Sequence, residues 1–306
     1  MKWIIDTDPG IDDAAAIIAS VRSGLDVTGI SVVYGNASLE HTLKNALRLI
    51  ELLDVRIPVY PGVDRPLLGQ LHRAAVAHGE DGFGDNFLPA PNRREEGGHA
   101  IDFLLESARR FAGNLSLLVI GPLTNVALAI ARDRCFCDSV SQIVIMGGTS
   151  GARGNATMVS EFNIYADPEA AAIVLGSGIP ITMVPLETAR KVLLGVEFLE
   201  MLERSKAPLA QFFSSICGPV VRRVERQRGA RGLVLCDLVA AALAIEPGLA
   251  RSAVQSYVAV ETGGSVSRGL TAVDYSGISG CKPNATVCLD VDAARVGDIF
   301  AQALTT

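Results

Sequence analysis

Short apolar runs alternate along the chain with longer segments in which apolar residues recur at helical spacing. The runs are rich in β-branched residues, as buried strands are, and they are Trp3–Ile5, Val27–Val33, Ile57–Tyr60, Leu115–Ile120, Gln142–Met146 and Ile181–Val184. The helical segments are Leu39–Leu53, His99–Phe111, Asn125–Asp133 and Pro168–Leu175. This alternation predicts an α/β fold, with a mostly parallel, open twisted sheet and helices on both of its faces.

The C-terminal part of the chain departs from this alternation. Val196–Ala244 is predicted to be mainly helical, and Ser256–Glu261 and Ala285–Asp290 are predicted to be added strands. Within the helical part, the Gly- and Arg-rich stretch Arg222–Gly232 is predicted to be a mobile loop. No repeat, low-complexity tract or linker is found in the sequence, so we expect a single domain over residues 1–306.

Composition narrows the class of protein. Hydrophobic residues make up 49% and charged residues 20% of the 306 residues, which permits a sizeable core and argues against disorder. The net charge of -6 argues against a nucleic-acid-binding protein, which would carry an excess of positive charge. No window approaches about 18 uninterrupted apolar residues, and the chain starts on a predicted strand rather than a signal region. We therefore expect a cytoplasmic protein with no membrane contact.

Aspartates are concentrated at the end of the first predicted strand. They are Asp6, Asp8, Asp12 and Asp13. No Lys or Arg lies between Lys2 and Arg22 to compensate their charge. Carboxylates this close either take up protons or share a counter-charge, and an all-oxygen set favours Ca²⁺ or Mg²⁺. The structural alternative is a helix cap with solvated acidic neighbours.

Polar residues and glycines follow the other predicted strands, and parallel sheets bind ligands at the carboxyl ends of their strands. The segments are Tyr34-Gly35-Asn36, Gly121-Pro122-Leu123-Thr124-Asn125 and Gly147-Gly148-Thr149, the last followed by Asn155, Glu161 and Asn163. Asn and Glu side chains with backbone carbonyls suit a polyhydroxylated ligand, because sugar hydroxyls both donate and accept hydrogen bonds.

Five blocks of residues in one order span nearly the whole chain. They are Asp6-Thr7-Asp8-Pro9-Gly10-Ile11-Asp12-Asp13, Gly121-Pro122-Leu123-Thr124-Asn125, Ile145-Met146-Gly147-Gly148, Glu161-Phe162-Asn163 with Asp167-Pro168-Glu169-Ala170, and Cys236-Asp237. Together they resemble the nucleoside hydrolase family, the inosine-uridine-preferring N-ribohydrolases. The resemblance implies Ca²⁺-dependent hydrolysis of the N-glycosidic bond of ribonucleosides to ribose and free base, by a homodimer or homotetramer.

The resemblance also implies roles for individual residues. The calcium ligands would be Asp8, Asp13, the backbone carbonyl of Thr124, and Asp237. The cation would also bind the ribose 2′- and 3′-hydroxyls and the attacking water, whose proton Asp8 is expected to take. Asp12 and Asn163 would bind the ribose hydroxyls, and Met146, Asn155 and Glu161 would surround the 5′-hydroxyl. Asn36 would support the acidic loop and the attacking water.

The reaction itself explains a carboxylate-lined site. Cleaving an N-glycosidic bond builds positive charge on the ribosyl ring, as in an oxocarbenium ion. Carboxylates therefore stabilise the transition state more than the neutral substrate.

Cys236 departs from the family pattern, because many members carry His immediately before the metal-binding Asp, where it is assigned a part in protonating the leaving base. A thiol has an ordinary pKa of about 8.5 and is a reluctant acid, so Cys236 is either a weak catalytic group or a packing residue. His78, in a Gly-rich segment that matches a loop near the base, is the better candidate acid. The resemblance also implies a mobile helix over the base at Arg222, Arg223, Arg226 and Arg228, one of which could donate hydrogen bonds to the base.

Two other functions remain open on the sequence. Asp6 and Asp8 also resemble the opening of haloacid-dehalogenase-type phosphatases, in which the first Asp is the nucleophile and Mg²⁺ is bound. A non-catalytic protein that binds calcium and ribose would need the same binding residues. The sequence does not set the preferred base.

Overall fold

Strands form at the short apolar runs of the sequence, and helices form where apolar residues recur with a period near 3.6. The structure is a computed structural model that describes residues 1–151 and 153–305, except the side chains of residues 75 and 76. The strands are β1 (Lys2–Thr7), β2 (Val27–Val32), β3 (Val59–Pro61), β4 (Leu115–Val119), β5 (Val140–Met146), β6 (Ile181–Val184), β7 (Ala250–Ser256), β8 (Val258–Val260), β9 (Thr271–Val273) and β10 (Ala285–Val291).

The helices surround these strands. They are α1 (Ile11–Arg22), α2 (Leu39–Leu52), α3 (Ala75–His78), α4 (Ala100–Arg110), α5 (Thr124–Arg132), α6 (Cys135–Ser139), α7 (Phe162–Ala166), α8 (Pro168–Leu175), α9 (Leu186–Ala189), α10 (Val196–Arg204), α11 (Pro208–Ile216), α12 (Gly218–Arg228), α13 (Cys236–Ile245) and α14 (Ala293–Thr305), with a 3₁₀ turn at Pro247–Leu249.

The main sheet has the strand order β3-β2-β1-β4-β5-β6-β10-β7. Its pairs are parallel except β10 and β7, which pair antiparallel at one edge. The predicted fold class is therefore confirmed. The strand order reverses between β1 and β4, and in sheets of this kind the crevice at such a reversal is where ligands bind. β8 and β9 form a separate antiparallel pair.

Both faces of the sheet are buried. Successive side chains of β1 point to opposite faces, so Ile5 packs into one apolar cluster and Ile4 into the other. Helices α1 and α13 pack against each other over the face that Ile5 occupies. No helix in residues 1–151 and 153–305 is long and apolar enough to cross a lipid bilayer.

The predicted loop at Arg222–Gly232 is wrong over most of its length. Helix α12 continues to Arg228 and ends at Gly229, which takes the left-handed conformation with φ 67°. The helix forms because Val220 and Val224, one turn apart, are both buried against the core.

Three elements near the C-terminus were also missed. They are β7, which precedes the predicted strand Ser256–Glu261, β9 and α14. The buried residues of α14 do recur at helical spacing, as Val296, Ile299, Phe300 and Ala303 show, so the pattern was present.

Candidate active site

A cavity of about 660 Å³ lies at the carboxyl ends of the central strands. Most of the residues expected to act on a substrate line it, namely Asp12, Asn36, His78, Met146, Asn155, Glu161, Asn163, Cys236 and Asp237. Asn155 is exposed, whereas Met146 and Glu161 are buried. A ligand in this cavity would therefore meet backbone turns and polar side chains from four or more elements, as a small polar molecule requires.

Packing of two helices assembles the acidic part of the site. Asp12 and Asp13 lie in the first turn of α1, and Asp237 lies in the first turn of α13, the helix that packs against α1. Carboxylate oxygens of these three residues lie within 4.8 Å of one another. Asp8 is fully buried and raises the pKa of Asp237, as Asp12 and Asp13 do, so all four belong to one electrostatic group.

Hydrogen bonds hold the acidic loop in place. Asp13 accepts from the Thr7 hydroxyl at 2.6 Å and from the Gly10 backbone N–H at 3.0 Å. Asn36 donates its backbone N–H to Asp8 at 2.6 Å and its side-chain amide to Asp13 at 2.8 Å. Asn36 thus bridges two carboxylates of the acidic loop, and its expected support of the attacking water stays a prediction.

The electrostatics of this group call for a cation. Burial, followed by the charges of Asp13 and Asp12, raises the pKa of Asp8 well above its ordinary value. Burial raises the pKa of Asp237 in the same way. Oδ1 of Asp8 and Oδ1 of Asp12 are buried and have no hydrogen-bond partner among the described residues. An all-oxygen donor set with unsatisfied buried carboxylates fits Ca²⁺ or Mg²⁺.

Thr124, whose carbonyl is an expected calcium ligand, also forms a side-chain hydrogen bond to Asp167. It is the first residue of α5 and is buried, and its hydroxyl donates to Oδ2 of Asp167 at 2.8 Å. The same oxygen of Asp167 accepts the Leu67 N–H at 2.8 Å, while Oδ1 caps α8 through the Ala170 N–H. The carbonyl of Thr124 as a metal ligand stays a prediction.

Glu161 and Asn163 are fixed by the start of α7. Oε1 of Glu161 accepts the Asn163 N–H at 2.9 Å, and Oε2 accepts the Gly148 N–H at 2.9 Å and the Ile164 N–H at 3.2 Å. Burial raises the pKa of Glu161 to about 7. The amide nitrogen of Asn163 donates to the carbonyls of Ile120 and Met146, which leaves its side-chain oxygen to accept from a ligand.

The two candidate acids face the cavity in forms that are poor proton donors near neutral pH. Nδ1 of His78 accepts the Ile11 N–H at 3.2 Å, and Nε2 lies 3.7 Å from Oδ1 of Asp12. Burial lowers the pKa of His78 to about 4. Burial, followed by the charge of Asp12, raises the pKa of the Cys236 thiol to about 12, so Cys236 keeps its proton as expected.

Several lining residues were not singled out from the sequence. They are His72, Arg73, Tyr165, Arg190 and Gln227, whereas Arg223 and Arg228, which also line the cavity, belong to the arginines considered as donors to the base. Arg223 and Gln227 are one helical turn apart, so the helix that the resemblance implies here places them on one face. Arg190 and Tyr165 come from separate elements and carry no local signal.

Asp6 does not belong to the acidic group. It lies within β1, is fully buried and does not line the cavity. Its Oδ2 accepts hydrogen bonds from the Ser31 hydroxyl and, at 3.0 Å, from the Asn125 side-chain amide. The expected cluster of four N-terminal aspartates is thus corrected to Asp8, Asp12 and Asp13. The phosphatase alternative loses its nucleophile, because Asp6 is out of reach of a substrate in this cavity.

Comparison with known proteins decides the family. The model of the inosine-uridine preferring nucleoside hydrolases matches residues 3–298. The chain belongs to this family. Among its relatives, the pyrimidine-specific ribonucleoside hydrolase RihA of Escherichia coli is 38% identical over 304 residues, which cover 98% of this chain and 97% of the relative.

Solved structures agree with this assignment. A plant nucleoside hydrolase, PpNRh1, superposes with a TM-score of 0.92 at 31% identity and covers 100% of this chain and 99% of its own. A purine-preferring ribonucleoside hydrolase from Gardnerella vaginalis also has a TM-score of 0.92, at 28% identity, covering 100% of this chain and 98% of its own. The predicted family, fold and enzyme class are confirmed. Since one of these relatives is named for pyrimidine and another for purine ribonucleosides, the similarity to them does not determine which base this chain prefers.

Proposed function

We propose that this chain hydrolyses the N-glycosidic bond of ribonucleosides, in a calcium-dependent reaction that yields ribose and free base. The observation that carries the proposal is the close approach of Asp12, Asp13 and Asp237 beside one cavity, where buried oxygens of Asp8 and Asp12 have no hydrogen-bond partner in the described part of the chain. The family membership supplies the reaction type.

The residues proposed to hold calcium are Asp8, Asp13, Asp237 and the carbonyl of Thr124. Asp12, which lies within 4.8 Å of Asp13 and Asp237, is the additional carboxylate at this position. When bound, the cation would offset the carboxylate charge and act as a Lewis acid toward water and a ribose diol.

The protein groups account for the rest of the reaction. Asp8 is proposed to take the proton of the attacking water, because its carboxylate is buried beside the residues proposed to hold the cation. Asp12 and the side-chain oxygen of Asn163 would accept hydrogen bonds from ribose hydroxyls and orient the ring. As the bond from C1′ to the base breaks, the ribosyl carbon becomes positive and the carboxylates around it lower the barrier.

A panel of ribonucleosides with a reducing-sugar readout tests the proposal. Ribose release should be seen with at least one substrate, should stop after treatment with a chelator, and should return with Ca²⁺. The substitution Asp13→Asn should abolish both calcium binding and turnover. The matched control Asp298→Asn, at an exposed position on α14, should leave both unchanged.

Two outcomes would contradict this function. Calcium and ribose binding without ribose release from any nucleoside would favour a non-catalytic binding protein. Equal rates on ribonucleosides and 2′-deoxyribonucleosides would remove the proposed diol contacts, because losing a hydroxyl with dedicated partners should cost about 10⁴-fold.

A further inference from the structure

Arginines line the same cavity as the carboxylates. They are Arg73, Arg190, Arg223 and Arg228. None of them forms an ion pair with a carboxylate in the part of the chain that the structure describes, although the chain carries 33 acidic residues and a net charge of -6. Cationic side chains left without a carboxylate at a ligand cavity indicate that the ligand supplies negative charge.

Arg223 differs from the other arginines. Arg228 donates to the carbonyl of Arg190 at 2.9 Å, and Arg190 donates to the carbonyl of Arg153 at 3.3 Å. Arg73 is exposed. Arg223 is only partly exposed, and its guanidinium has no hydrogen bond or ion pair to the described residues. Its five N–H donors are therefore free to meet a ligand.

The position of Arg223 relates it to the leaving base. It lies on α12, which packs against α3, the helix that ends at His78. Its positive charge is close enough to His78 and Cys236 to act on both. These are the residues near which the base was expected to depart, and Nδ1 of His78 is already engaged by Ile11.

We propose that Arg223 stabilises the negative charge that develops on the departing base, so that the base leaves as an anion without a general acid. This inference rests on the proposed hydrolysis. The bond from C1′ to the base nitrogen breaks and its electron pair goes to the base. The water oxygen bonds to C1′ and gives its proton to Asp8, and the base anion takes a proton from solvent after release.

The proposal defines a class of preferred substrate. A guanidinium presents parallel N–H donors that match a pair of adjacent acceptors, such as a ring nitrogen and a neighbouring carbonyl oxygen. The anion of a 2-oxo pyrimidine such as uracil offers this pair at the bond that breaks. Purines have no carbonyl group beside N9, the nitrogen of the breaking bond, so purine ribonucleosides should be poorer substrates than uridine.

The test compares two leaving groups in two variants. Uridine has a poor leaving group that needs stabilisation, whereas p-nitrophenyl riboside has a good one that does not. Arg223→Gln should lower kcat on uridine by about 10²–10³-fold, the usual effect of removing one transition-state donor, and should change p-nitrophenyl riboside by less than about 10-fold. Arg226→Gln, an exposed position on the same helix that does not line the cavity, removes the same charge and should match the wild type.

Added guanidinium gives an independent readout. It should restore part of the uridine activity of Arg223→Ala, since the free cation can occupy the space left by the side chain, and a purely structural role would not respond. Equal losses on both substrates, a change in KM alone, or no rescue by guanidinium would overturn the role of Arg223. Failure of the wild type to cleave any nucleoside would instead overturn the proposed function.

The wild type decides the question if the Arg223 variants do not fold. Departure as an anion predicts that 5-fluorouridine, whose base is more acidic, is cleaved faster than 5-methyluridine. Equal rates on the two would contradict the proposal.

Discussion

Nδ1 of His78 accepts a hydrogen bond from the backbone N–H of Ile11, 3.2 Å away. Ile11 is the first residue of α1, and Gly10 before it has no side chain with which to cap the helix. The bond places the ring proton on Nε2, and burial holds the pKa of His78 at about 4. Near neutral pH, His78 is therefore a neutral ring that ties α3 to the acidic loop.

A positioning role for His78 predicts losses that do not depend on the leaving group. His78→Ala should reduce turnover of uridine and p-nitrophenyl riboside by the same factor. It should also lower the free energy of unfolding by about 1–3 kcal/mol, because the buried Ile11 N–H loses its acceptor. Steady-state kinetics and urea unfolding measure the two effects. A much larger loss on uridine would identify His78 as the acid instead.

Gly121 leaves room for the carboxylate of Asp8. A Cβ at position 121 would lie 2.9 Å from the Val33 side chain and 2.7 Å from Oδ1 of Asp8, which accepts no hydrogen bond from the residues that the structure describes. Gly121→Ala should therefore displace Asp8 and lower calcium affinity or activity by about 10–100-fold. Calorimetric titration with Ca²⁺ and initial rates test this. Gly97→Ala, where a Cβ meets nothing within 4 Å, is the control and should leave both unchanged.

Removing calcium should make stability depend on pH. Burial raises the pKa values of Asp8, Asp13 and Asp237 in the folded protein, so folding favours their protonated forms. Their contribution to stability is present below the unfolded pKa, near 4, and is lost as the pH rises through the raised values. The metal-free protein should have a lower Tm at about pH 8 than at about pH 5.5.

Calcium binds the ionised carboxylates, so bound calcium should cancel the fall in Tm between about pH 5.5 and about pH 8. The rise in Tm on adding Ca²⁺ to chelator-treated protein should consequently be larger at the higher pH. Scanning calorimetry at both pH values measures it. A calcium-induced rise of the same size at both would show that these carboxylates do not bind the ion.

When calcium is saturating, Glu161 should make the free energy of unfolding depend on pH. Its folded-state pKa of about 7 exceeds the ordinary 4.5, so its contribution is complete below about pH 4.5 and is lost as the pH rises through 7. Relative to Glu161→Gln, the wild type should lose unfolding free energy between about pH 5 and pH 7 by up to about 1.4 kcal/mol for each pH unit.

Urea unfolding across this range tests the effect of Glu161. The control variant Glu197→Gln, at an exposed position on α10, should follow the wild-type curve. Parallel curves for the wild type and Glu161→Gln would mean that burial does not raise the pKa of this carboxyl.

Local pattern was sufficient for much of the fold and for part of the site. β6 and α8 have the predicted bounds, since each is a short apolar segment with a clear stop or a proline start. The stretch at α12 was mistaken for a loop because its Arg and Gly content outweighed two buried valines. Asp6 was grouped with Asp8 and Asp12, but it lies within β1, where its carboxylate accepts hydrogen bonds from Ser31 and Asn125 instead of facing the cavity.

The sequence by itself determined the alternation of strands and helices, the acidic loop after β1 and the family, because these depend on residues that are neighbours in the chain. Only the tertiary structure decided that Asp237 joins Asp12 and Asp13, since their meeting depends on the packing of α13 against α1. It likewise decided that the oxygens of Glu161 accept hydrogen bonds from backbone N–H groups, and that Arg223 lines the cavity without an ion pair to any residue the structure describes. Such pairings arise from burial and from contacts between distant segments, which local periodicity does not encode.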